Sequence, residues 1–443
     1  MFLAPCFFRQ KRRPWGLCLR HQGGDCNTLL IPMSLTNPWF ILALFATAGL
    51  YHLELISTLL NLSALRAGVP ARLRKVLSDE DHERTREYVR AKSALEIAEQ
   101  SFMLVIMLAF WWGGGFGWLD ALIRGWHLPP IREGLAVIGI VFVLHGLLTL
   151  PFEVWNTFSI EREFGFNRTT FGTFVMDRVK GLLLAVVLGG PLLALLLWLF
   201  VHYELAALYG WVVVTVFSLT MTWVAPRLFL PLYYKFEPLK DESLRARINV
   251  LSQTLSFPVA DVSVVDGSRR STKANAFFIG FGPTKRIALF DTLLSGHSQD
   301  EILAVLAHEI GHCKRRHVPR MLGLSLLGSA VMFALLHFAL HDPRLGQAFG
   351  IANASIAWRL IFFSIVYQPV SIVMHFISSA WSRHFEYEAD AFARSAMGDA
   401  APMKEALMRL SRDHLSHPTP HPFHVALHYS HPTVLQRVAA LES

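Results

Sequence analysis

Long apolar runs decide what this chain can fold into. The hydrocarbon core of a bilayer is about 30 Å thick and takes about 20 helical residues to cross. Seven stretches reach or approach that length: 38–62, 101–119, 134–152, 181–202, 205–226, 321–340 and 360–382. All but the first lack Asp, Glu, Lys and Arg; the first carries Glu54 beside His52. Charged residues make up 17% of the chain, against about 25% in soluble proteins. The expectation is an all-α polytopic membrane protein. A carboxylate inside lipid is costly, so Glu54 either faces protein or a wet cavity, or sits near the interface and snorkels.

Basic residues set the orientation. The segment after the first span holds eight Lys and Arg, and the segment after the third holds four. Those after the second, fourth and sixth hold two, none and one. This alternation puts 227–320 and 383–443 in the cytoplasm and the N-terminus outside. The formal net charge of +8 is spread over cytoplasmic loops, where anionic lipid accounts for it. No nucleic-acid partner is expected. Residues 1–32 form a leader with no helical period and three of the four cysteines, Cys6, Cys18 and Cys26. It lacks the ordered regions of a signal peptide. Met33 opens "MSLTNPWFILALF" as a natural start, so the leader reads as an artefact of the gene model or a disordered extension. The cysteines give no disulfide framework, and Cys313 reads as packing.

The organisation expected is a leader (1–32), an N-terminal membrane region with five spans (33–226) and a C-terminal catalytic region with two (227–443). Within 66–95 a helix start falls at Ser78 and Asp79. Residues 151–180 extend the third span. Residues 227–320 are long enough for a small α+β subdomain, and "KANAFFIGFGPTKRIALFDTLL" (273–294) reads as a hairpin turning at Gly282 and Pro283. "SQDEILAVLAHEIGHCKRRH" then reads as a helix capped by Ser298, with Glu301 completing a capping box.

That last helix carries chemistry. Residues four apart share a helix face, so His308 and His312 can grip one ion through their imidazoles. Glu309 can act as general base toward water at that ion. A zinc ion there lowers the water's pKa toward ~7 and polarises a scissile carbonyl. The metzincin pattern needs Gly at 315 and His at 318; Arg315 and Val318 stand there. The third ligand is then expected on a later helix. "SRHFEYEADAFARSAM" (382–397) offers Glu386, with Asp390 one turn on to hold a ligating histidine by its other nitrogen. Glu388 points elsewhere on a helical count. A tetrahedral intermediate needs a positive group on its oxyanion, and "HYSHPTVLQR" (428–437) offers His428, His431 and Arg437. Histidines cluster in this tail, at 414, 417, 421, 424, 428 and 431; such a tail could be a weak surface metal binder, but the "HYSHP" spacing beside a zinc motif argues for one specific role.

Together these blocks resemble the type I CAAX prenyl proteases, integral-membrane zinc metalloproteases. The resemblance rests on "LPFEVWNTFSIEREFGFNRTT", "NAFFIGFGPTKRIALFDTLL", "AHEIGHCKRRH", "SRHFEYEADAFA" and "HYSHPTVLQR", in that order. It covers about 33–443. It implies seven spans around a large wet chamber with a zincin-like site facing inward. It implies one Zn2+ held by His308, His312 and Glu386, with Glu309 as base, Asp390 orienting a ligand, His431 on the oxyanion and Arg437 in support. Asn275 would lie on the edge strand where substrate backbone pairs. The substrate implied is a prenylated CAAX protein losing its C-terminal tripeptide. The Ala- and Arg-rich composition and short tail resemble bacterial members, whose hosts generally lack prenylation; another membrane-associated protein would then be the substrate. The membrane would be the bacterial inner membrane, or the endoplasmic reticulum in a eukaryote, and the expected state is a monomer among lipids. A transporter would suit an intramembrane Glu54, but no inverted repeat is visible. An idle scaffold would not need the full catalytic set.

Overall fold

The computed structural model describes residues 35–66, 68–70, 72–74, 77–279 and 286–443. The leader and the expected turn at Gly282 and Pro283 lie outside the described residues.

Among the described residues six helices are long and apolar enough to cross a membrane. They are Pro38–Ala64, Asp79–Trp112, Pro130–Glu163, Phe171–His202, Ala206–Tyr233 and His317–His341. A helix pair bent by 52°, Ile356–Val366 and Gln368–Met397, makes a seventh when its two halves are taken as one span. Pro369 lies in the first turn of the second half; it has no N–H to donate back across Tyr367. Apolar length alone foresaw one straight span, 360–382, here.

The second span differs from expectation in the same way. The apolar run 101–119 is cut after Trp112 by Gly113–Gly115, with Gly114 at φ 75°, a left-handed conformation that glycine adopts without strain. A separate helix, Gly115–Arg124, follows. Hydropathy is blind to this turn. The polar half of the same span starts where expected: Ser78 accepts from the Asp81 amide at 3.0 Å, and its own amide donates to the Asp81 carboxylate at 3.1 Å.

The largest buried core gathers at one end of the bundle. It draws on the starts of the odd-numbered spans (Phe40, Val137, Ala207, Trp358) and the ends of the even ones (Trp111, Leu197, Leu336). An up-and-down bundle puts all these positions on one membrane face. Rings dominate it: Phe349 stacks on Phe362 at 4.1 Å, and Trp111 on Phe349 at 4.8 Å. Its indole N–H groups are satisfied, Trp358 by Asp120 at 2.9 Å and Trp111 by the Ala348 carbonyl at 3.0 Å.

The sixth span begins and the seventh ends at the opposite face, next to a small α+β unit. Its strands are β1 (Phe236–Pro238), β2 (Asp261–Val265), β3 (Ala276–Ile279) and β4 (Arg286–Phe290). The order is β1-β2-β4-β3. β3 and β4 pair antiparallel, as the hairpin reading expects, and β4 also pairs parallel with β2. The two further strands are three and five residues long, too short for alternation to register. β3 is the sheet edge nearest the site.

Candidate metal centre

The motif helix, Gln299–Lys314, is fixed at its start by the expected box: Ser298 N donates to Glu301 at 2.7 Å and Glu301 N to Ser298 Oγ at 3.3 Å. It lies against the long helix Gln368–Met397. Gly311, inside the motif, allows that approach: a Cβ there would meet Phe392 at 3.1 Å and the Ala389 Cα at 3.3 Å. The two helices therefore meet where their functional side chains project.

His308, His312 and Glu386 each offer a ligand atom, and these lie within 4.8 Å of one another. The two imidazole Nε2 atoms are 3.1 Å apart. Glu386 sits 3.4 Å from His308 Nε2 and 3.3 Å from His312 Nε2. His308 Nδ1 meets Asp390 at 2.9 Å, so a neutral His308 carries its proton there and presents a bare Nε2. Two ring nitrogens and a carboxylate then converge as lone pairs. Glu386 Oε2 is buried without a hydrogen bond; Arg437 reaches it only at ion-pair distance, 3.3 Å. Such a donor set fits a cation. Burial disfavours charge on His308, but Asp390 and Glu386 outweigh it and raise its pKa to about 9, a sign of how strongly the site draws positive charge.

Around this triad the remaining expected residues take distinct places. Glu309 lines the cavity in front of the ligands. Burial pushes its carboxyl up, against the neighbouring His308 and His312. Arg437 is buried behind the site and grips Asp390 through two bonds, Nε at 2.8 Å and NH2 at 2.6 Å. His431 is exposed toward the cavity, 3.3 Å from Glu386, with Ser430 Oγ on its Nδ1 at 2.8 Å. Asn275 stands immediately before β3 on the cavity wall, and its carbonyl accepts from Phe290 N at 3.0 Å. The cavity holds about 800 Å³, space for a peptide segment.

His428, one of three oxyanion candidates, is not part of this cluster. It pairs with Glu54 of the first span at 3.1 Å, and Ser57 bonds His424 at 3.0 Å. This places Glu54 against protein. His417 bonds the Asn61 carbonyl, and His414 accepts from the Ala274 amide. The C-terminal histidines thus tie the tail to the first span and the edge strand. A weak surface metal binder is not their arrangement.

One residue escaped the sequence reading. His317, the last residue of "KRRH", places Nδ1 2.9 Å from His312 Nδ1 and Nε2 2.9 Å from Glu388. Glu388 does point away from the ligands, as helical counting suggests, but toward the back of one of them. The signal was a third histidine five residues after His312, with a turn of unknown shape between.

Two histidines and a glutamate converging on one point, beside a second glutamate and at one end of a membrane bundle, define a membrane-embedded metallopeptidase. Comparison with known proteins agrees. Residues 58–235 match the family model described as CAAX prenyl protease N-terminal, five membrane helices, and 238–443 match peptidase family M48. The rice CAAX prenyl protease 1 homolog is 33% identical, covering 84% of this chain and 90% of that protein. The human homolog is 30% identical, covering 85% and 89%. The crystal structure of S. mikatae Ste24p superposes with a TM-score of 0.85 at 30% identity, covering 92% of this chain and all of that one. The chain belongs to peptidase family M48, with the CAAX prenyl proteases. It is an integral-membrane metalloendopeptidase acting on a peptide or protein.

Proposed function

We propose that the metal is zinc and that the enzyme removes the C-terminal tripeptide of prenylated CAAX proteins, or cuts other membrane-associated proteins where prenylation is absent. The observation carrying this is the donor set itself, two imidazoles and one carboxylate, the combination suited to catalytic zinc. The names of the relatives, CAAX prenyl protease 1, support the substrate.

Zinc, when bound, supplies a Lewis acid for the scissile carbonyl and lowers the pKa of water. The chain's own residues do the rest. Substrate backbone adds antiparallel to the β3 edge, with Asn275 at its head. Glu309 takes a proton from the attacking water and returns it to the leaving amine; a carboxyl held above its ordinary range by burial suits that exchange. His431, facing the cavity, donates to the developing oxyanion. Arg437, on the cavity wall and paired with Asp390 and Glu386, holds both carboxylates in place. The catalytic end faces the cytoplasm, following the basic loops.

The test is cleavage of a farnesylated CAAX peptide by the purified protein, beside Glu309→Gln and a chelator-treated sample. Loss in both controls supports the reading. Intact zinc with no cleavage of that peptide would overturn the CAAX substrate while leaving the metallopeptidase.

A further inference from the structure

The two ligating histidines are backed differently. His308 rests directly on a carboxylate, Asp390. His312 rests on a third imidazole, His317, which in turn rests on Glu388. These three carboxylates come from one helix: Glu386 as ligand, with Glu388 and Asp390 ending the two chains behind it.

With both imidazoles neutral, one proton arrangement satisfies the second chain. Glu388 accepts at His317 Nε2, so that nitrogen carries hydrogen. A neutral His317 then has a bare Nδ1, which must accept from His312 Nδ1–H. That leaves His312 Nε2 bare and aimed at the metal position. The surroundings hold this geometry. His317 is 3% exposed and stacks on Phe385 at 4.3 Å with planes 5° apart. Glu388 is steadied by His384 at 3.2 Å and Arg320 at 3.6 Å.

We infer that His317 and Glu388 are positioning residues that lock His312 in its metal-ligating tautomer. The inference rests on the metal reading above and concerns how tightly the ion is held. Outer partners of ligating histidines typically contribute about 10–100-fold to metal affinity.

The experiment is competition for Zn2+ between the full-length purified protein and a chelator of known affinity, with peptide cleavage and thermal stability of the metal-free protein alongside. His317→Phe keeps a ring to stack on Phe385 and removes the acceptor. Glu388→Ala leaves His317 in place and removes its anchor; Glu388→Gln restores an acceptor oxygen. The expected result is ~10–100-fold weaker zinc binding for His317→Phe, a smaller loss for Glu388→Ala, and recovery with Glu388→Gln. Unchanged zinc affinity in both His317→Phe and Glu388→Ala, with only the melting temperature lowered, would reduce the pair to packing and overturn the inference. Should His317→Phe fail to fold, the Glu388 pair decides alone. Absence of zinc binding in the unmutated protein would instead overturn the metal reading itself.

Discussion

The two ends of the membrane bundle are built on opposite principles. One is a plug of rings, with Phe116 against Phe349, Trp358 and Phe362, and Phe362 stacked on Phe349, and every span contributing. The other gathers Glu386, Glu388, Asp390, Arg437 and four histidines into a few ångströms around a cavity. Burial and close packing of the rings hold the first end. The second gains little net stability from its buried charges, since desolvation offsets their attraction; it gains fixed geometry. The plug joins the helix ends on one face, while the site is assembled at the other.

Substitutions that strike one end and spare the other can break this division. The largest effect is expected from Glu309→Gln, which keeps the shape but removes the proposed base. Peptide cleavage should drop by ~10²–10⁴-fold, with zinc content and melting temperature unchanged. Next is Trp358→Ala in the plug, which deletes a fully buried side chain. A loss of about 3–5 kcal/mol is expected, read as a lower melting temperature in detergent, while turnover per folded molecule stays near its original value. A plug variant that lost turnover without losing stability would show the ends to be coupled. A smaller effect is expected from Asp390→Asn. It breaks the two-bond grip of Arg437 and weakens the hold on His308, so zinc should bind about 10–100-fold less tightly, with the plug untouched.

The two ends were also unequally legible in the sequence. At the catalytic end, helical period sufficed for His308 and His312, and for Glu386 and Asp390, because each pair lies one turn apart on a regular helix. Six spans, and a seventh if the bent pair is one span, followed from apolar length. What stayed hidden turned on backbone breaks. The glycine turn at 113–115 and the bend at Tyr367 lie inside apolar runs, where composition does not change. The plug is a sum of small contributions from all seven spans, and no local pattern announces which helix ends meet. His428 beside His431 could not be separated by spacing, since only the partner, Glu54, distinguishes them. His317 depended on the shape of one tight turn.

That turn offers the smallest and sharpest test. Arg316 adopts φ 58°, ψ 39° between the motif helix and the sixth span. This left-handed conformation swings the chain back so that the very next residue, His317, sits under His312. A side chain there is strained by ~1–2 kcal/mol, because its Cβ crowds the following carbonyl. Arg316 is itself exposed, so the strain serves the position of its neighbour. Arg316→Gly removes the crowding but adds freedom to the unfolded chain, and the two nearly cancel. The expected change in stability is within about 1 kcal/mol, with zinc affinity and cleavage unaltered. Arg316→Val cannot relax in the same way, since a branched Cβ is worse still at positive φ. Its turn should open and carry His317 away from His312, and zinc affinity should fall more than stability does. Equal behaviour of the glycine and valine variants in the zinc competition would mean that the turn's handedness is incidental to the site.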